Sequence, residues 1–428
     1  MIVVQVGLCL LMAFAVLAFG AVQVWSQSLL EIGAAVLLVC WMLLSLRAKE
    51  AKIQWNPLIW PLLGLLVIGG LQLLLRDTAY AFLTRLELLR ISAYCVIFFL
   101  LTQAFCKREE REGLAWFLVL FCFAVSLLGI IQHFTAEHQI YWMSSLNVQN
   151  DSFGPFVNRN HFAGFIELTL PVGLAMVIFR GMRKDLFPLL ILLTIVPISA
   201  LILSGSRGGI IGFGFELCML AILSKIGSDG TFSRIAAIGI VALAALALIA
   251  WLGADKAIER FSEVRKFDLT VGRRASMARG AAGIFLDHPI KGAGLGALVA
   301  VYPRYETAYD GDVVEHVHND YLEALAETGI AGGICGLIFF WLLFRESRRS
   351  LMASQGHFSR ALHGGAIAAV SGMLLHSFLD FNLHIPSNAI LFLVQVFLAT
   401  SSPVPSRTQE ARKRYVRREM APVEASPL

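Results

Sequence analysis

The chain has 428 residues, of which 57% are hydrophobic and only 15% are charged, and its mean hydropathy is +0.71. A water-soluble core cannot bury that share of apolar side chains, so the composition excludes a soluble globular protein. The formal net charge of +5 comes largely from short loops and the C-terminal tail, and it is poor evidence for nucleic-acid binding.

Apolar stretches recur along the chain at close to the length of about 20 residues that a helix needs to cross a bilayer. The sequence therefore predicts an all-α integral membrane protein with about twelve transmembrane helices, and a large periplasmic loop containing short helices before span ten. The first stretch follows no Lys or Arg and shows no clear cleavage site, so we expect it to be retained as a span. The predicted spans are centred near residues 13, 38, 66, 97, 123, 170, 195, 216, 243, 332, 371 and 394.

Basic residues indicate the orientation, since Lys and Arg beside helix ends resist translocation. They cluster after even-numbered spans, at 47–52, 107–111, 180–184 and 345–349. These loops are predicted to be cytoplasmic, and an even number of spans then places both termini in the cytoplasm. The expected segments are N-terminal transmembrane helices (1–132), transmembrane helices with periplasmic motif loops (133–252), a large periplasmic loop (253–320), C-terminal transmembrane helices (321–400) and a disordered cytoplasmic tail (401–428).

Cysteine usage argues against a disulfide framework or a zinc site. The seven cysteines lie in or at the ends of apolar spans, and they form no CxxC or Cys/His spacing. We expect no metal and no cofactor.

Two polar regions of the chain carry candidate anion-binding arginines. Arg207 lies in the turn Ser204–Gly209, where glycines and a helix N-terminus suit a diphosphate, although an arginine there also suits simple interfacial snorkelling. Further on, Arg273 and Arg274 are predicted to mark the start of a helix that lies on the membrane, where they would hold either phosphate or lipid headgroups. Its apolar face would consist of Met277, Ala281, Ile284 and Phe285.

A glycine-rich segment, 287–296, follows that helix. It lacks the spacing and the preceding strand of a nucleotide-binding loop, so we interpret it as a shaped turn. Next come His318 and Asn319, nine residues, and then Gly329-x-x-Gly332.

This arrangement resembles the bacterial O-antigen ligase and polymerase family. The resemblance rests on the order of several short motifs between residues 154 and 390. These are Gly154–Gly164, Ser206–Gly209, Arg274 ahead of Asp287–Pro289 and Gly292–Gly296, His318–Gly332, and His376–Asn382.

The resemblance implies a metal-independent, inverting glycosyltransferase on the periplasmic face of the bacterial inner membrane. The donor would be a polyprenyl-diphosphate-linked glycan, the acceptor lipid A-core or a growing glycan, and the other partner the lipid bilayer. It also implies catalytic roles for His318 as general base and for Arg207 and Arg274 at the leaving diphosphate. Whether such a protein acts as a ligase or a polymerase stays open at this stage, and a lipid-linked sugar transporter is a further alternative.

Several neighbouring residues are alternatives or additional substrate contacts. His316 would share the site with His318, and Asp320 or Glu315 would orient an imidazole or act as the base instead. Arg273 or Arg279 would replace Arg274, because the family often has tryptophan where this chain has Ala278. The predicted substrate-binding residues are Arg273, Arg279, Arg159, Asn160, His161, His316, Asn319, Asp320 and Asp380.

Buried acidic residues within the spans also suggest function, because ionisable groups are costly in a bilayer. Asp380 and His384 are expected at the outward end of span eleven, near His161, Arg207 and His318. A structural role in helix-to-helix bonding is the alternative for Asp380 and, more strongly, for Glu216. The other acidic residues of this kind are Glu167, Glu323 and Glu327.

Overall fold

A computed structural model describes residues 1–47, 53–136, 139–143, 152–225, 264–307 and 313–401, together with Gly239 and Gly311. The described residues form helices and loops without a β-strand. The α-helices are α1 (Ile2–Leu17), α2 (Val24–Arg47), α3 (Ile59–Leu74), α4 (Ala81–Ala104), α5 (Arg108–Thr135), α6 (Arg159–Ile178), α7 (Phe187–Ser204), α8 (Arg207–Ser224), α9 (Val264–Asp287), α10 (Leu298–Val301), α11 (Asp320–Met352), α12 (His357–His376) and α13 (Pro386–Thr400).

The helices confirm the predicted fold class, an all-α integral membrane protein. Seven of them, α2, α4 to α8 and α11, are long and apolar enough to cross a bilayer, and α1, α3 and α13 are shorter apolar helices. Together with α12, they place a helix at eleven of the twelve predicted centres. The remaining centre, near residue 243, lies outside the described residues, as do 402–428 of the predicted tail. The division into segments stays a prediction.

Helix α6 is the central helix of the bundle. Every residue from His161 to Ile178 is buried, and α6 packs against α5, α7, α8, α12 and α13. Small residues allow the closest approach: a Cβ added to Gly365 of α12 would lie 2.8 Å from the carbonyl oxygen of Pro171. Outer helices instead expose large apolar side chains such as Leu46 and Leu74, which suits contact with lipid.

Helix α11 is interrupted at Gly329, which has φ 61° and ψ −157°. The turn that follows α9 fills this break, because Ile330 N donates to Pro289 O at 2.8 Å and Gly294 N donates to Glu327 O at 3.1 Å. Gly292 makes the approach possible, since its Cβ would lie 2.1 Å from the carbonyl carbon of Glu327. The shaped turn predicted for 287–296 is therefore confirmed.

Two expectations for the loop before α11 are wrong. Helix α9 begins at Val264, so Arg273 and Arg274 lie in its middle and cannot share its N-terminus with a phosphate.

The apolar face of α9 packs against protein and does not lie on the membrane. Met277, Ala281 and Ile284 join a separate hydrophobic core with residues of α10, of the 313–317 segment and of α11. Two tyrosines close this core, because Gly280 and Gly283 leave room for Tyr302 and Tyr305. The α9 segment is thus held to the bundle as a folded unit.

Candidate catalytic site at one end of the bundle

Several helix ends meet at one end of the bundle. Helices α6, α8, α11 and α13 begin there and α12 ends there, so the connections before and after them converge. Helix α9 lies across this end and contacts α11. The sequence motifs at 158–161, 206–209, 316–320 and 376–384 are therefore brought to one side of the molecule, as expected.

Asp380 is the centre of this arrangement, and its side chain is 1% exposed. One oxygen, Oδ1, lies 3.0 Å from His318 Nδ1, and it also accepts the backbone N–H of Phe381 at 2.9 Å. The other, Oδ2, accepts from Asn160 Nδ2 at 2.6 Å and lies 3.5 Å from Arg274 Nη2. Arg274 also donates to the carbonyl of Leu379 at 2.6 Å.

These contacts fix the charge of Asp380. Burial alone would raise the pKa of this carboxyl, but the hydrogen bond and charge of His318, together with His161 and Arg274, lower it well below its usual range. An anionic Asp380 accepts a hydrogen bond, so whenever the His318 ring carries a single proton, that proton lies on Nδ1. Its Nε2 is then the basic nitrogen, and the side chain is 24% exposed.

His318 has a backbone conformation that is uncommon for a residue with a side chain. Its φ is +53°, and Asn319 directly after it caps α11 by accepting from the N–H groups of Tyr321 and Leu322. Asn319 Nδ2 also donates to the carbonyl of Phe378. The backbone at His318 is thus strained, and this conformation directs the side chain towards Asp380. Local strain of this kind is a feature of functional sites.

The ring of Phe381 collects three histidines around it. His316 stacks on it with ring centroids 4.5 Å apart, while His318 and His161 meet it edge-on at 4.9 and 4.8 Å. The ring centroid of His384, which also belongs to the site, lies 4.8 Å from that of His316. The apolar ring of Phe381 is therefore shared by His161, His316 and His318.

A second cluster of histidine and acidic side chains lies beside Phe381. His316 Nδ1 is 2.6 Å from Glu323 Oε1, and His384 contacts both Asp320 at 2.7 Å and Glu323 at 3.3 Å. Burial alone would lower the pKa of His384, but the two carboxylates raise it to about 10. His384 is therefore an imidazolium at neutral pH, and it neutralises part of the buried acid.

The same cluster is the one place among the described residues that could hold a metal ion. Ligand atoms of His316, Glu323 and His384 lie within 4.8 Å of one another. The 2.6 Å contact between His316 and Glu323, together with the protonated His384, instead indicates a hydrogen-bonded ion cluster.

The structure separates the predicted arginines by position. Arg274 reaches Asp380, whereas Arg273 and Arg279 are exposed on α9 and Arg279 Nε donates to Ala275 O of its own helix. Arg207 is the first residue of α8, and Arg159 is the first residue of α6, directly before Asn160. Both are half-buried at the site end of the bundle.

Other predicted residues differ in how they reach the site. Glu315 is exposed, Asp320 is buried against His384, and His161 is buried against Phe381. The Asn319 side chain is occupied in capping α11. Their proposed contacts with substrate stay predictions.

Sequence reasoning singled out Glu167 and the motif that begins at His376, but it did not predict their contact, which forms a buried pair beneath the site. His376 Nδ1 lies 2.8 Å from Glu167 Oε2, and the carbonyl oxygen of His376 accepts from Asp380 N at 3.0 Å. Gly208, next to Arg207, lies against the same ring, since its Cβ would be 2.5 Å from His376 Nε2. The pair therefore joins α6, α8 and α12 below Asp380.

Phe381 was also missed as a functional candidate, although it follows Asp380 in one of the motifs. The only signal in the sequence was a polar run, His376 to His384, at the end of an apolar span. Such a run shows that a site is near, but an aromatic residue inside it looks like ordinary core.

Comparison with known proteins shows which family, and which relative, part of the chain resembles. Residues 189–337, which contain Arg207, Arg274 and His318, match the family model described as O-antigen ligase. The chain is similar to the teichuronic acid biosynthesis protein TuaE of Bacillus subtilis (strain 168), with 26% identity over 315 residues. The alignment covers 68% of this chain and 61% of that relative. The chain is thus a multi-pass membrane protein in which residues 189–337 are similar to the O-antigen ligase family.

Proposed function

We propose that the protein transfers a glycan from a polyprenyl-diphosphate donor to an acceptor hydroxyl, in the manner of an O-antigen ligase. The observation that carries this proposal is the contact of buried Asp380 with both His318 and Arg274. One carboxylate thereby orients a base and holds a cation at the same mouth. A glycosyl transfer that releases diphosphate needs both.

In the reaction, the acceptor hydroxyl attacks C1 of the donor sugar. The new O–C1 bond forms as the bond from C1 to the diphosphate oxygen breaks, and its electron pair leaves on the diphosphate. His318 Nε2 accepts the hydroxyl proton, and Asp380 stabilises the resulting imidazolium. Attack on the face opposite the leaving group inverts the configuration at C1.

The leaving diphosphate gains negative charge, which the chain meets with its own cations. Arg274 is held towards the site through Leu379 O and Asp380, and Arg207 stands at the N-terminus of α8, where the helix dipole also favours an anion. These groups supply the compensation that a metal ion would give. We therefore propose a metal-independent reaction.

The location of the reaction follows from the charge rule. The basic loops at 107–111 and 345–349 belong to the end of the bundle away from Asp380, and such loops stay in the cytoplasm. The protein then lies in the bacterial inner membrane with both termini inside, and the site faces the periplasm.

Polymerisation is the second candidate function. Lipid A-core as acceptor corresponds to a ligase, whereas a growing glycan corresponds to a polymerase of O-antigen or exopolysaccharide. The TuaE relative is a protein of teichuronic acid biosynthesis, and this favours building the polysaccharide itself as the alternative.

The test is the surface-glycan profile of the host after deletion of the gene and complementation. Wild type is expected to restore the profile, and His318→Ala and Arg274→Ala are expected to lower transfer at least about a hundredfold. Loss of long chains from lipopolysaccharide with accumulation of lipid-linked polymer supports the ligase. Single-repeat caps or loss of a separate exopolysaccharide supports the polymerase.

Matched controls are His288→Ala and Arg304→Ala, because both residues are exposed on the same side of the molecule. They are expected to behave as wild type, and a chelator is expected to leave transfer by membranes unchanged. Wild-type profiles from the His318 and Arg274 variants at equal protein level would refute the assignment.

A further inference from the structure

A cavity of about 510 Å³ lies at the end of the bundle opposite Asp380. Helices α11 and α13 both begin at the catalytic end and both end at this cavity, through Arg349 and Thr400. The 30 residues from Asp320 to Arg349 correspond to roughly 45 Å of helix. That distance exceeds the hydrocarbon core of about 30 Å, so the two features lie at opposite membrane faces.

Three arginines and one acidic residue line the cavity, which leaves it with excess positive charge. Arg345 and Arg349 come from the last turns of α11, and Glu346 between them contacts Arg345 at 2.7 Å and Arg349 at 3.6 Å. The side chains of Arg345 and Arg349 are 48% and 80% exposed. They are therefore able to turn towards an incoming ligand.

The third arginine, Arg111, is buried and fixed. Its Nε donates to Phe105 O at 2.9 Å, its Nη1 donates to Ser401 O, and its guanidinium lies 4.9 Å from the centre of the Phe397 ring. Among the described residues, no carboxylate forms an ion pair with it. A buried cation held by carbonyls and an aromatic ring, without an anionic partner, is electrostatically incomplete, and an anion in the cavity would complete it.

The rim of the cavity has the character of the membrane interface. Trp55 lines it, with its ring centroid 5.3 Å from that of Trp60, and the Arg345 guanidinium lies 4.6 Å from the ring centre of Trp341. All three tryptophans are more than half exposed. Indole rings at that level are typical of the headgroup region.

An apolar strip leads from this rim along α11. Leu337 and Phe344 are each 70% exposed and lie on the lipid-facing side of the helix, near Trp341. A free phosphate ion would use none of this surface. A lipid would place its acyl chains there and its phosphate among the arginines.

We propose that this cavity binds the headgroup of an anionic phospholipid from the leaflet on that side, the cytoplasmic one by the charge rule. Basic pockets between transmembrane helices at this face suit such headgroups. The inference is independent of the reaction proposed for the other end of the molecule.

The test uses the full-length protein in detergent, with lipid retention measured by native mass spectrometry during titration with phosphatidylglycerol or zwitterionic phosphatidylethanolamine. Wild type is expected to retain phosphatidylglycerol selectively. Removal of each arginine is expected to lower retention about fivefold. The double variant Arg345→Gln/Arg349→Gln is therefore expected to retain phosphatidylglycerol about 25-fold less strongly than wild type.

Arg348→Gln is the matched control, because Arg348 is exposed on the same helix but does not line the cavity. It is expected to retain lipid as wild type does. Glu346→Gln removes the only acidic residue among the described residues of the lining and is expected to strengthen retention, a gain that misfolding would not produce.

Three outcomes of the lipid titrations would overturn the proposal. They are equal retention of the two lipids by wild type, an equal loss in Arg348→Gln and the double variant, and no gain in Glu346→Gln. Displacement of the lipid by millimolar inorganic phosphate would also overturn it, since the cavity would then be a site for a free anion.

Discussion

At the scale of single residues, one buried carboxylate organises the candidate site. Asp380 contacts an imidazole, a guanidinium and an amide from three separate parts of the chain, with partners 62, 106 and 220 residues away. Because it is desolvated, each contact is stronger than it would be in water, and losing any partner leaves charge uncompensated. The geometry of the site therefore depends on a residue that need not touch substrate itself.

Replacing Asp380 by asparagine tests this positioning role. Asp380→Asn keeps the shape but loses the anion that holds His318 Nδ1–H and Arg274, so we expect transfer to fall at least about a hundredfold. The loss is expected in kcat with little change in KM for the acceptor, whereas a damaged acceptor pocket would raise KM. Asp287→Asn, at an exposed position, serves as the control.

The His384 cluster makes a pH-dependent contribution to stability. Its folded pKa of about 10 lies above the ordinary value of about 6.5, so the contribution is complete below pH 6.5 and disappears as the pH rises through 10. We expect wild type to have a higher melting temperature than His384→Gln at pH 6, and we expect the difference in melting temperature to shrink steadily towards pH 10. Thermal unfolding in detergent measures it, and a difference independent of pH would contradict the raised pKa.

The residues of the site were predictable one at a time, but their partnerships were not. Motif order indicated His318, Arg274 and Asp380, because each lies in a polar run beside an apolar span. Nothing local to the sequence distinguishes Arg274 from Arg273 or Arg279. Their difference arises from the rotation of α9, which its packing against α10 and α11 sets.

At the scale of elements, the break in α11 determines how α9 and its following turn attach to the bundle. The turn supplies carbonyl acceptors to Ile330 and Ala331, whose N–H groups the break leaves without helical partners. Hydropathy predicted the helix centres well because lipid-facing spans are long and apolar. It missed the break, since Gly329 lies within a continuous pattern, and it missed the start of α9, since 264–271 is polar in part.

Alanine at Gly329 tests the docking of the turn. Its Cβ would lie 2.6 Å from the carbonyl of Ile290, at a positive φ that alanine adopts poorly, so we expect destabilisation of about 3 kcal/mol or more. Gly336→Ala in the same helix is the control, because no atom lies within 4 Å of its Cβ and alanine favours helix. Equal melting temperatures for the two variants would show that the break does not need glycine.

At the scale of the whole molecule, the two ends of the bundle differ in chemistry. One end carries histidines and carboxylates in short hydrogen-bonded clusters, and the other carries arginines, hydroxyl groups and tryptophans around a cavity. Composition and charge predicted this polarity in outline. They could not predict the central burial of α6, because its sequence is less apolar than those of its neighbours α5 and α7, which are only about half buried.

Cysteine labelling tests which end faces outward. Val313 is 73% exposed near the site, and Arg348 is exposed at the opposite end. We expect a membrane-impermeant maleimide to label Val313→Cys in intact spheroplasts and to label Arg348→Cys only after permeabilisation. Wild type gives the background from the seven native cysteines, and the reverse pattern would invert the topology.

The hydrogen-bond partners of Gln72 are synthesised much later than Gln72 itself. Its amide lies buried in the short apolar helix α3, and its partners are Lys291 O, Glu327 O and Leu295 N. Of these partners Glu327 lies furthest along the chain, 255 residues after Gln72. At a synthesis rate of about 5 to 20 residues per second, α3 waits roughly 13 to 50 s with this polar group unmatched. Newly made α3 is therefore a poor membrane anchor until α11 arrives, so late insertion of α11 secures the early half of the protein.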